Sequence, residues 1–197
     1  MEAIALDVRD QARFRNLMEQ TYKKVFNLAY RLAGNRADAE DLTQEAFFRA
    51  YRAFGDFEGD RPFENWIFRI VNRLFLDLMR TRGRRVQTVS YDAPVRTDRG
   101  EDVFTVEAAD QGPTPEQAML HDTMSEELEA ALLRLKPEQR LLVLLADVEG
   151  MPYNEIALVV GVPVGTVRSR LHRAHKALRQ QLNAGKANPG QTTFCPA

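Results

Sequence analysis

The sequence predicts an all-α protein made of two small helical domains joined by a flexible acidic linker. Three observations carry that expectation. Apolar residues recur at helical spacing in each patterned segment, and no run alternates as a half-buried strand would. The pattern stops between about Val86 and Met119, where Pro94, Gly100, Gly112, Pro113 and Pro115 mix with many acids. Such a polar, aperiodic stretch reads as a linker between two folding units. The pattern then resumes and ends on a helix–glycine–proline–helix stretch, Tyr153–Arg179. At 197 residues, 44% hydrophobic and 28% charged, the chain has globular proportions and material for one or two modest cores. The expected parts are a first domain over 10–86, the linker over 87–122, a second domain over 123–182 and a flexible tail over 183–197.

The first helix is expected from about Asp10 to Ala33. Phe14, Leu17, Met18, Tyr22, Val25, Phe26, Ala29 and Leu32 share its face, and Gly34-Asn35 ends it. Asp38 stands before a second helix, Ala39–Phe54, with Ala39, Leu42, Ala46, Phe47, Ala50 and Phe54 inward. Its other face carries Glu40, Asp41, Gln44 and Glu45, which suits either plain solvation or a docked partner. Gly55–Pro62 reads as a loop. A third helix, Phe63–Arg85, places Trp66, Ile70 and Leu74 in a core and ends in a run of arginines. Aromatics beside arginines also suit stacking on unpaired bases, with core packing as the alternative.

After the linker, Leu128, Ala131, Leu132 and Leu135 restore the helical period. Pro137 opens the next helix without needing an amide donor there, and Gly150 follows its end. Then comes a short apolar helix, Tyr153–Val160, a turn with Gly161 and Pro163, and a long helix from about Val164. Gly161 suits a left-handed turn position, having no Cβ to clash. Ile156, Ala157, Val160, Val162, Val167 and Leu171 can form the shared seam of a helix-turn-helix. The long helix carries Arg168, Arg170, His172, Arg173, His175, Lys176 and Arg179 and no acid. A cationic helix is expected where an element enters a groove lined by phosphates, and a solvated basic helix is the bland alternative.

The net charge of −1 by itself argues against a nucleic-acid binder. Its distribution argues otherwise: Arg61–Arg85 and the last helix are basic, while Asp92–Glu129 is acidic, so separate segments have separate jobs. Catalysis has no residues to stand on. There is no glycine-rich phosphate loop, no paired cysteines and no metalloprotease-type histidine pair. His172 and His175 lie three apart, but only Cys195 is even a weak further ligand, so no metal and no cofactor are expected. A lone cysteine near the C-terminus forms no internal disulfide. With no signal-like N-terminus and no apolar run near ~20 residues, a soluble cytoplasmic protein without membrane insertion is expected.

Three blocks together resemble bacterial RNA polymerase sigma factors, specifically the small extracytoplasmic-function group. Ala39–Phe54 resembles the segment that binds the clamp helices of the largest polymerase subunit. Phe57–Arg85 resembles the segment that opens and holds the promoter's minus-ten element, and Leu135–Leu178 the domain that reads the minus-thirty-five element. The resemblance implies a non-catalytic promoter-specificity factor whose partners are core RNA polymerase (clamp helices and flap) and promoter DNA, commonly with an anti-sigma factor. It implies that Asp41, Gln44 and Glu45 face polymerase. It also implies that Arg168, Ser169, His172 and Arg173 reach base edges or phosphates, with amides near Gly165 and Thr166 holding phosphate. Residues at such spacing do project from one side of a helix, and Arg can grip guanine bidentately. In the first domain, Phe57, Gly59, Asp60 and Arg61 correspond to a pocket for a flipped base, beside Trp66. One departure stands out: the family often has Asn seven residues after this Trp, where Arg73 lies here, and the Asn is one earlier, at Asn72. The acidic connector would thread polymerase's cationic RNA channel. Two other classes make different demands on a sequence. A ligand-sensing repressor would need an effector pocket and dimer segment, and a nucleic-acid enzyme would need framed metal-binding carboxylates. Neither is evident in the sequence.

Overall fold

The computed structural model describes residues 7–59, 61–89 and 124–186. All regular structure among them is helical. Three long helices form the first domain: α1 (Val8–Ala33), α2 (Arg36–Arg52) and α3 (Phe63–Val89), with a 3-10 turn at Phe54–Asp56. The second contains α4 (Glu126–Leu133), α5 (Pro137–Val143), a π-helical turn (Leu144–Val148), α6 (Tyr153–Val160) and α7 (Val164–Lys186). α3 and α7 run three and four residues into the stretches read as linker and tail. The remainder of both, with Cys195, lies outside the described residues.

Local chemistry sets the helix ends. Asp7 accepts from the Asp10 amide at 2.8 Å and caps α1, supplying a first-turn donor with the acceptor it would otherwise lack. Gly34, at φ +77°, closes α1 in the left-handed region. α2 begins three residues before the expected start, because Asn35 rather than Asp38 is the cap. The Asn35 side-chain Oδ1 accepts from the Asp38 amide at 3.0 Å, which places Asp38 inside the first turn, where its charge suits the helix dipole. Ser125 caps α4 the same way.

The first core is aromatic. Phe68 and Phe75 of α3 are fully buried, and each contributes about 1.5–3 kcal/mol through burial. Phe14, Phe54, Phe57, Phe63 and Trp66 form a chain of ring contacts with centroids 5.1–6.3 Å apart. In the second domain Leu141–Leu145, Ile156, Val167, Leu171 and Ala174 meet, and their cluster is continuous with that of the first domain. The i→i−5 bond from the Glu149 amide to the Leu144 carbonyl, at 3.0 Å, marks the π turn. It lets five consecutive residues, Leu141–Leu145, stay buried.

The two domains touch along two lines. At the end of α1, Leu133 of α4 covers Gly34 so closely that a Cβ there would lie 2.5 Å from Leu133 Cδ2. Beside it, Arg140 of α5, only 7% exposed, donates to the Leu32 carbonyl of α1. Arg140 also donates to the carbonyls of Leu132 (3.0 Å), Leu133 (2.5 Å) and Leu135 (3.5 Å). Burial pulls its pKa down. It stays charged because the pKa of a guanidinium begins so high, and the C-terminal ends of two helices supply partial negative charge. The second line runs along α3, where α6 lies across it.

Candidate nucleic-acid interface

The helix-turn-helix is built as the sequence suggested, with one displacement. Gly161, at φ +76°, ends α6, and its amide donates to the Ala157 carbonyl at 2.9 Å. The seam holds Ile156, Ala157, Val167 and Leu171 as buried residues, while Val160 and Val162 are only half-buried. Ala174 and Val159 are buried in addition. Val159 is covered from outside the motif, by α3.

On α7 the face opposite this seam is open. Arg168, Ser169, His172 and Arg173 are all exposed. Ser169 Oγ donates to the Thr166 carbonyl at 3.1 Å, and Arg173 Nε to the Ser169 carbonyl at 3.2 Å. These bonds lay the Arg173 side chain along the helix toward its start. Arg170 and Arg173 line a shallow notch of about 260 Å³ with Lys136, Glu138, Gln139 and Leu142. Of the two residues expected to supply amides to a phosphate, Thr166 donates its own to the Pro163 carbonyl at 2.8 Å. Gly165 faces open space. His175 pairs with Asp147 at 2.7 Å, on another element from its neighbour His172.

The first domain presents a cavity of about 210 Å³. Asp56, Phe57, Glu58, Arg61, Asn65, Trp66 and Arg69 line it, and so do Leu158 and Val159 of α6. Phe57 is buried as its floor, 5.2 Å from the half-buried Trp66 ring. Gly59 has φ +76°, and Arg13 of α1 fills the space where a side chain would be, 2.7 Å from that Cβ position. The Arg13 guanidinium also lies over the Phe54 and Phe57 rings at 5.6 and 5.5 Å. Arg13 thus backs the loop from beneath, a contact without a local sequence signal. Asp60 lies outside the described residues.

Asn72 and Arg73 differ in exposure but line one groove of about 250 Å³, with Arg69, Leu76, Asp77 and Arg80 of α3 and Val159, Val160 and Gly161 at the end of α6; Arg73 is exposed. Asn72 is 4% exposed, with Nδ2 3.4 Å from the Val159 carbonyl and no partner for Oδ1. Two turns earlier, Asn65 Nδ2 donates to Glu155 of α6 at 2.8 Å. Near this junction Glu149 is half-buried, and burial raises its pKa; Arg31 and Lys24 oppose the rise and Glu64 adds to it. Lys24 in turn donates to Glu64 at 2.7 Å, which raises the lysine's pKa.

On α2, Asp41 and Gln44 are exposed and Glu45 is half-buried, its carboxylate bonded to Arg49 Nε at 2.6 Å. Phe48 lies four residues after Gln44 on the same face and is 56% exposed, with Arg52 over its ring at 5.7 Å. The sequence does signal it: adjacent Phe47 and Phe48, about 100° apart on a helix, cannot both face the core. Arg140 was missed too; the available cue was a single cation bordering an unbroken apolar run.

Comparison with known proteins bears on both domains. The family description Sigma-70 region 2 matches residues 17–85, and Sigma-70, region 4 matches residues 125–178. The ECF RNA polymerase sigma factor SigE of Mycolicibacterium smegmatis is 42% identical over 89% of this chain and 64% of its own length. The chain therefore spans a little under two thirds of that relative. SigW of Bacillus subtilis, also an ECF RNA polymerase sigma factor, is 34% identical over 88% of this chain and 90% of its own. Among solved structures, the sigma factor RpoE of Bartonella quintana, in complex with the anti-sigma factor NepR, superposes with a TM-score of 0.63 at 26% identity, covering 87% of this chain and 97% of that one. CnrH in complex with the cytosolic domain of CnrY gives 0.58 at 27%, covering 88% and 90%.

Proposed function

This chain belongs to the sigma-70 family, in its extracytoplasmic-function group, and we propose that it directs core RNA polymerase to promoters by reading two DNA elements. In this reading α7 enters the major groove of the minus-thirty-five element, with Arg168, Ser169, His172 and Arg173 toward base edges and phosphates. The cavity around Phe57, Arg61 and Trp66 takes an unpaired minus-ten base, with Gly59 in the adjoining loop and Arg73 and Asn72 further along α3. Captured bases offset an unpairing cost of a few kcal/mol, so melting follows from binding and needs no catalytic group. Asp41, Gln44 and Glu45 face the clamp helices of polymerase, and exposed Phe48 adds an apolar anchor among them. As a factor that acts on polymerase it works in the cytoplasm. Among the described residues no helix is long and apolar enough to cross a membrane. An anti-sigma partner, such as NepR in the solved RpoE complex, fits the same reading.

The observation that carries this reading is the α7 face. Four polar or cationic side chains stand exposed on one side, while Val167, Leu171 and Ala174 are buried on the other. The bonds that Ser169 and Arg173 make stay within α7 and leave this face exposed, so it is available to a ligand. The experiment is run-off transcription with core polymerase on a promoter library. Initiation from a discrete set of sequences, lost with Asp41→Lys/Glu45→Lys, is expected. Initiation that does not depend on the added protein, or uniform repression, would overturn the proposal.

A further inference from the structure

We propose that Arg13 of α1 is a positioning residue for the cavity of the first domain: its guanidinium pins the loop Phe57–Gly59 at both ends and so fixes the wall against which an unpaired base is captured. The inference rests on the reading of that cavity as a base-capturing site.

Phe57 and Glu58 line the cavity, and Arg13 stands behind them. On one side its guanidinium carbon lies 5.5 Å from the Phe57 ring centroid and 5.6 Å from that of Phe54. Those two rings are stacked 5.7 Å apart, and Phe57 carries the contact on to Trp66 at 5.2 Å. On the other side Arg13 Nη2 takes the space of a Gly59 side chain, 2.7 Å from where a Cβ would stand. Glu58 lies between these two holds. The backbone that brings its carboxylate to the cavity is therefore fixed on both sides by one cation.

The root of Arg13 is held as well. Its neighbour Phe14 is buried, with its ring edge-on to Phe54 at 5.1 Å and to Phe63 at 6.0 Å. α1 is thereby registered on the aromatic cluster that floors the cavity. Arginine suits the position as lysine does not. Its planar cation turns a face to the rings and an edge to the glycine, whereas lysine offers a point charge on a flexible stem. Gly59 is fitted in return: its φ of +76° lies in the left-handed region, and its missing Cβ leaves room for Nη2. Arg13 itself is exposed, so its removal leaves the buried aromatic core in place and frees only the loop.

The test uses holoenzyme assembled from the full chain and core polymerase. Fluorescent fork-junction probes carry the non-template minus-ten strand of a promoter active in run-off transcription, with an abasic site at each minus-ten position in turn. The parent should lose about tenfold in affinity at one position, where the base that stacks in the cavity is missing. Arg13→Ala should bind the intact strand about tenfold more weakly, in line with two lost cation–π contacts, and bind that abasic strand as the parent does. Arg13→Lys keeps the charge without the plane and should behave as Arg13→Ala. Binding of core polymerase and of duplex minus-thirty-five DNA should be unchanged in both variants. An abasic penalty as large in Arg13→Ala as in the parent, or parent affinity restored by Arg13→Lys, overturns the positioning role and leaves the cavity's function standing. A parallel loss of polymerase binding overturns it too, since Arg13 would then serve the fold as a whole. If no position in the parent is sensitive to base removal, the base-capture reading falls and the positioning role with it.

Discussion

The two surfaces proposed to meet DNA differ in what covers them. The α7 face is exposed along its length and is shaped by contacts within one helix, such as Ser169 to Thr166 and Arg173 to Ser169. The α3 face is covered by a helix from the other domain, through contacts between residues 87 and 90 positions apart in the chain. The first surface is a local property, and the second depends on how the domains sit. A change at the α7 face should therefore alter which DNA is chosen. A change at the junction should alter how firmly the domains are held.

The largest effect should come from cutting the junction at Arg140. Arg140→Met keeps much of the apolar stem but takes the guanidinium away from four carbonyls, of which that of Leu132 keeps the Arg134 and Leu135 amides. It should cost about 3 kcal/mol or more in urea unfolding, well beyond a surface substitution. If the cost is below about 1 kcal/mol, the two domains are not held by this residue. Arg173→Ala should cost about 1–3 kcal/mol in promoter discrimination if the guanidinium grips a base, with folding stability unchanged. Unchanged promoter ranking with uniformly weaker binding would make it a phosphate contact, and the comparison would then rest on affinity alone.

Two glycines sharpen the contrast further. Gly34→Ala and Gly161→Ala both force a side chain into the left-handed region, at a cost of about 1 kcal/mol. Only Gly34 also meets the other domain, through Leu133, whereas nothing lies within 4 Å of a Cβ at Gly161. Thermal melts should therefore show the larger drop for Gly34→Ala; equal drops would mean that Leu133 moves aside freely. The smallest effect concerns Glu149. Because burial raises its pKa, the folded chain holds this proton to higher pH than the unfolded chain does. The stability this contributes is present below the ordinary glutamate value and is lost as pH rises through the raised one. Glu149→Gln should flatten that decline in melting temperature across the mildly acidic range. A parallel pH profile in the variant would remove Glu149 from the account.

How much was legible follows the same division. The helix-turn-helix was readable to the residue at Tyr153–Val160 and Val164, because Gly161, Pro163 and the apolar period are all local signals. The start of α2 was misplaced because Asn35 and Asp38 are both good caps, and only backbone geometry chooses between them. Asn72 was read by its offset from Trp66 as a partner for DNA, and nothing nearby in sequence announces that Val159 lies on it. Val159 in turn looked like one more apolar residue of a short helix. Arg13 behind Gly59, and Arg140 at the Leu32 carbonyl, are likewise invisible to spacing, since each supports a loop or helix end distant in the chain.

The Arg140–Leu32 tie has a consequence for the order in which the molecule is made. Donor and acceptor are 108 residues apart. At a synthesis rate of about 5–20 residues per second, the end of α1 waits roughly 5–20 s for its cation. The first domain emerges, with all three of its helices, before any residue of α5 or α6 exists to lie against it. For that interval on the ribosome its aromatic cavity stands open, and the nascent chain passes through the uncovered form before the finished protein can close.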